Sequence, residues 1–321
     1  MKRALLFLLP LLVAAQPPLR LEKTISLAGV QGRIDHLAAD LPHQRLFVAA
    51  LSNGTVVVID VKASRRIHTI KGLQEPQGIL YLAANNRLYV ATGGDGACRI
   101  YDASDYRLLK TVALGEDADN VRYDADTRRV YVGYGAGALA ALDEDGNKLA
   151  NIPLDAHPES FRLEKPGSRI FVNLPDSKKI GVVDRAKGSL ISSWNVHGSE
   201  ANFPMALDDS SRRLFIVYRR PAEVQVLDST NGSLISRLPT VGDADDVFYD
   251  AARRRVYITG GDGAIAILEP QDASRYHEIA RIPTTKGART ALHVPEWNTL
   301  FLAVRAEAGQ PAAIGVYRAA P

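Results

Sequence analysis

The sequence predicts an all-β fold, a seven-bladed β-propeller of four-stranded blades whose ring is closed by the N-terminal strand. Three observations carry this. One strand motif recurs seven times at a steady interval, a hairpin-linked strand follows it, and the strand missing from the last unit stands at the other end of the chain.

The recurring strand reads RLFVAA (45–50), RLYVAT (87–92), RVYVGY (129–134), RIFVNL (169–174), RLFIVY (213–218), RVYITG (255–260) and TLFLAV (299–304). With Leu46, Leu88, Val130, Ile170, Leu214, Val256 and Leu300 as anchors, the intervals are 42, 42, 40, 44, 42 and 44 residues. Self-similarity at such a period marks a repeat architecture, and no segment carries a convincing helical period. The acidic phrases GEDADNVRYD (115–124) and GDADDVFYD (242–250) lie at the same place in two units, so they belong to the repeat before they belong to a site.

Each anchor strand leads through a turn such as SNG (52–54), GGDG (93–96 and 260–263) or GAG (135–137) into a second run ending in an acid, as in TVVVID (55–60) or EVQVLD (223–228). These are hairpin turns. A further strand follows, as in LLKTVAL (108–114), and one more precedes each anchor, as in HLAAD (36–40) or NVRYD (120–124). Four strands per unit and seven units describe a propeller. The seventh unit ends at AAIGVYR (312–318) without a fourth strand, whereas LEKTISLAG (21–29) aligns with LLKTVALGE (108–116). Pairing 21–28 with 312–318 would close the ring and remove an exposed edge.

Residues 1–15 read as an export signal, a basic start followed by the apolar run ALLFLLPLLVAA, with Val13 and Ala15 at an A-x-A-like cleavage site. The run is too short to span a bilayer and breaks at Gln16-Pro17-Pro18. No cysteine lies near that point, which argues against a lipoprotein anchor. A single propeller domain over 16–321, located in the periplasm or secreted, is expected, and a monomer with no membrane span after cleavage. The lone Cys98 allows no intrachain disulfide. A formal charge of +3 says little about partners.

The pattern of Arg, a hydrophobic residue, an aromatic and Val, then a Gly or Asn turn and V-x-V-hydrophobic-Asp, resembles the YVTN-repeat, YncE-like seven-bladed propellers over about residues 19–318. The resemblance implies an exported binding or scaffold protein, and a few related propellers are lactonases or lyases. The shared residues build the blade, so function is sought where blades differ.

The strand ahead of each anchor should line the central channel and begin at one mouth. Eleven residues before the anchors stand Asp35, Gln77, Asp119, Glu159, Phe203, Asp245 and Arg289; ten before stand His36, Gly78, Asn120, Ser160, Pro204, Asp246 and Thr290. Four carboxylate blades thus face Arg289, an arrangement that raises carboxylate pKa values or calls for a cation. A divalent ion on Asp35, Asp245 and His36 is one form of compensation. A polar or cationic ligand, its acidic part held by Arg289, Arg219 and Arg305, is another. The last two end anchor strands and should reach the same face, where Tyr134, Asn173 and Tyr218 hold comparable places. Asp40, Asp124 and Asp250 should serve turns.

His157 should overhang the mouth and His293 lie deeper. The glycine clusters precede strands, which excludes dinucleotide loops, and neither a His-Glu-x-x-His motif nor a G-x-S-x-G elbow is present. Arginine runs that include Arg128, Arg129, Arg253 and Arg254 should form a dispersed basic rim on the opposite face, a weak case for polyanion or nucleic-acid binding. The reading expected is an exported propeller that binds a small molecule or protein at the acidic mouth without chemistry. The alternative is a metal-dependent lactonase or lyase using the same mouth.

Overall fold

A computed structural model describes residues 16–307 and 309–320; the export signal expected over residues 1–15 lies outside the described residues. Among these, the strands form seven four-stranded antiparallel sheets arranged in a ring. Blade 1 runs from the axis outward as Leu37–Asp40, Arg45–Ala50, Thr55–Asp60 and Arg65–Ile70. The inner strands of blades 2 to 6 are Pro76–Leu82, Val121–Asp124, Phe161–Leu163, Glu200–Asp208 and Ala244–Asp250. Blade 7 takes Ala291–Val294, Thr299–Val304 and Ala313–Ala319 from the C-terminal region, and its outer strand is Leu19–Ser26. That strand pairs antiparallel with Ala313–Ala319, from Leu19 opposite Ala319 to Ser26 opposite Ala313, so the ring closes as the missing strand predicts.

The anchor strands are buried on both faces because each blade is sandwiched between two others. Their aromatic position, Phe47, Tyr89, Tyr131, Phe171, Phe215, Tyr257 and Phe301, is solvent-excluded in every blade. The hydrophobic clusters follow the same logic, each drawn from two adjacent blades, as where Phe47 meets Leu88 or Phe171 meets Leu214. Cys98 lies within this packing, and burial pushes its thiol up to about 12. Such a thiol is inert.

The basic positions have a structural use that corrects the basic-rim reading. The arginine opening the anchor strand reaches across to a backbone carbonyl of the next blade: Arg45 to Ala103 (2.6 Å), Arg87 to Glu144, Arg169 to Ser229 (2.7 Å), Arg213 to Ala273 (3.0 Å) and Arg255 to Ala320 (2.8 Å). Blade 7 has Thr299 there, and Lys23 of the closing strand donates instead to Val61 of blade 1 at 3.0 Å. Arg128 pairs with Glu144, and Arg253 binds Asp250, Asn298 and the Ala320 carbonyl. The rim stands where expected, but much of its charge is engaged in joining blades.

Asp40, Asp124 and Asp250 serve turns as expected. Each accepts backbone N–H bonds from residues two or three ahead, His43, Asp126, and Ala252 with Arg253.

Candidate functional site

The alternation of the inner strands, combined with the repeat, brings the predicted mouth residues together. Gln77, Asp119, Glu159, Phe203, Asp245 and Arg289 line one cavity of about 380 Å3. Asp35 lies just beneath, in a throat of about 30 Å3 that it shares with His36, Asn120 and Asp246. Gly78 allows this close approach, since a Cβ there would fall 2.1 Å from the Asp119 carbonyl oxygen.

Apart from His157, counting back missed the tier two residues nearer the opening. Arg33, Glu75, Asp117 and His157 line the same cavity, and Asp243 holds the corresponding place in blade 6. The signal was available: in a strand, positions two apart share a face.

The mouth divides by charge. On one side guanidinium groups answer the carboxylates. Arg289 lies 3.1 Å from Asp245 and 2.6 Å from Asp243, Arg219 bonds Asp245 and lies 3.5 Å from Asp243, and Arg33 lies 2.6 Å from Asp35. Arg219 also stacks over Phe203, 4.2 Å from the ring centroid. Arg289 therefore does not stand alone against four acidic blades. Arg305 does reach this face, and burial beside Arg289 and Arg33 holds its pKa down; its Nη2 is buried without a hydrogen-bond partner.

On the other side no guanidinium lies within ion-pairing distance, among the described residues, of Glu75, Asp117, Asp119 or Glu159. His36 Nε2 stands 3.9 Å from Asp119, and His157 Nε2 stands 3.8 Å from Asp117. His157 overhangs the mouth as expected. Its Nδ1 lies 2.6 Å from the Gly135 carbonyl, which only accepts, so Nδ1 carries the proton. Asp119 is 6 % exposed, and its Oδ1 is buried with no hydrogen-bond partner. Burial first, then the Glu159 carboxylate, pushes Asp119 up to about 7. Burial first, then Asp245 and Asp35, does the same to Glu159.

The metal set proposed from sequence does not fit. Asp35 and Asp245 point their oxygens at arginines, and His36 lies 3.7 Å from Asp35 with no third ligand gathered. Among the described residues no group of three or more His, Cys, Asp or Glu side chains is placed to hold a metal ion. Tyr134, Asn173 and Tyr218 are also corrected. Tyr134 bonds outward to Asn151 at 2.5 Å, Asn173 is buried against the Phe203 carbonyl at 3.0 Å, and Tyr218 is solvent-excluded between blades 4 and 5. His293 lies deep in the channel, 3.8 Å from Asp250.

No helix among the described residues is long and apolar enough to cross a membrane. No protein-family model matches the chain, and no curated protein matches it. Among solved structures it is similar to a chain of the Kuenenia stuttgartiensis hydrazine synthase, with a TM-score of 0.77 and 15 % identity over 90 % of this chain and 96 % of that one. It is also similar to a chain in a crystal structure of the mitotic checkpoint complex, with a TM-score of 0.78 and 14 % identity over 99 % and 98 % of the two chains. At these identities the likeness is one of fold: the chain is a seven-bladed β-propeller.

Proposed function

We propose that the chain is an exported propeller of the YVTN-repeat, YncE-like kind. It binds a small cationic ligand, or a basic side chain of a protein partner, at the Asp119–Glu159 side of its mouth and performs no chemistry there. One observation carries the reading: the buried Asp119 and the half-buried Glu159 carboxylates share a cavity, and among the described residues no guanidinium lies within ion-pairing distance of either. An ammonium or guanidinium group would supply the missing charge and the donor for Asp119 Oδ1. The lactonase or lyase alternative finds no metal ligand set among the described residues.

Calorimetric titration with agmatine tests the binding site. Saturable binding that strengthens as pH rises through about 7 is expected, because only the ionised carboxylates attract the cation. Asp119→Asn and Glu159→Gln should each weaken it by about tenfold or more. Binding indifferent to both substitutions would remove this site. Export is tested separately: the protein recovered from the periplasm or medium should begin at Gln16.

A further inference from the structure

We propose that the lower channel contains an anion site formed by Arg122 and Arg162, for a small oxyanion or the carboxylate of an organic acid. The site is separate from the mouth, and its case does not depend on what the mouth binds.

Eight residues before each anchor, the inner strands place Ala38, Leu80, Ala206, Phe248 and Leu292 in five blades, and Arg122 and Arg162 in the adjacent third and fourth. An apolar ring suffices for the scaffold at this level, as five blades demonstrate, so two neighbouring guanidinium groups are an addition to it. Both line a cavity of about 330 Å3 whose wall is otherwise largely apolar.

Neither arginine has a carboxylate within ion-pairing distance among the described residues. Arg122 donates to the Val121 carbonyl at 2.8 Å and to Asn120 Oδ1 at 2.9 Å. Arg162 makes only a long bond to the Phe161 carbonyl at 3.4 Å. A guanidinium carries five N–H donors, so most of those on Arg162 are uncommitted. The other titratable groups facing the cavity are His36, Tyr81, His293 and Asp246. Asp246 accepts the Ala291 N–H at 2.8 Å and lies beyond ion-pairing distance of both arginines; burial raises its carboxyl, and the charges of Arg162 and Arg122 oppose that rise. Burial and the nearby Arg122 pull Arg162 down to about 9, so it is still a cation at neutral pH.

Two like charges brought together away from bulk water are unfavourable unless a counter-charge joins them. A planar carboxylate or a tetrahedral oxyanion can accept paired N–H bonds from both groups. The apolar walls would strengthen those bonds by excluding water, and the cavity has room for either.

The test is calorimetry with inorganic phosphate, sulfate and malonate at about pH 7.5, with ionic strength matched by sodium chloride. Saturable binding is expected from at least one of the three; binding of all three indicates a general anion site, and of malonate alone a carboxylate site. Arg122→Gln/Arg162→Gln should weaken it by about tenfold or more, while Arg33→Gln at the mouth leaves it unchanged. Absence of saturable binding below about 20 mM, or binding that survives the double substitution, would overturn the proposal. Should the double variant fold poorly, crystals of the unaltered protein grown with sulfate decide: density between the two guanidinium groups supports the site, and density at surface positions alone rejects it.

Discussion

Asp119 and Asp245 occupy the same place in two copies of the same acidic phrase, and the ring treats them differently. Asp245 faces Arg219 from the end of the preceding anchor strand and Arg289 from the following blade. Around Asp119 the corresponding positions are Gly93 and Glu159. One copy is therefore a closed ion-paired cluster, and the other is a buried carboxylate beside the half-buried Glu159, with no guanidinium within ion-pairing distance of either among the described residues. A closely similar local sequence acquires opposite electrostatic character from its neighbours across the blade gap. The copy left unanswered is the one able to bind.

The largest effect is expected from turning the closed copy into the open one. Arg289→Glu puts a carboxylate against Asp243 and Asp245 in place of their shared cation. It should destabilise the protein by about 3 kcal/mol near pH 7 in urea unfolding.

Asp119→Asn removes the penalty from the open copy. In the native state Asp119 binds its proton up to about 7, whereas the unfolded carboxyl releases it near 3.8. Between those values the native state holds more protons, so stability falls as pH rises through this window and the penalty is full above it. The substitution should stabilise by about 2 kcal/mol near pH 8 and by almost nothing below about pH 4. A gain independent of pH would show that Asp119 is not the group that titrates.

Asp245→Asn is expected to cost about 1 kcal/mol, because it weakens the acceptor of two guanidinium groups. The facing carboxylates alone would predict a rise in stability from relieved repulsion, and the arginines reverse that sign. An increase in melting temperature would mean that the pairs do not persist in solution.

The smallest effect is reserved for His36→Gln. Protonated His36 favours the ionised Asp119, so its removal should raise the Asp119 pKa by a fraction of a unit, read by carboxyl carbon NMR. No movement would place His36 outside the coupled group.

The blade plan was legible because it is local. Arg-hydrophobic-aromatic-Val sets a strand, the glycine turn sets the hairpin, and the steady interval between anchors sets the number of units. Counting back from Val130 or Val256 found Asp119 and Asp245 because a strand's side chains alternate with a period of two. The same count would have found Arg33, Asp117 and Asp243 one tier higher. The inter-blade role of Arg45 and its counterparts was less accessible, since their acceptors are backbone carbonyls about sixty residues away, which leave no side-chain signature.

The sequence by itself determined the all-β class, the seven units, the closing strand and one tier of the side chains that reach the channel, all of which follow from periodicity and local backbone preference. Only the tertiary structure decided which of those side chains are paired: that Arg219 and Arg289 close over Asp245, that Asp119 and Glu159 have no guanidinium within ion-pairing distance among the described residues, and that Arg122 and Arg162 line one largely apolar cavity. Ionic interaction depends on distance and on the water excluded between groups, and ring closure sets both by bringing together blades that are remote along the chain.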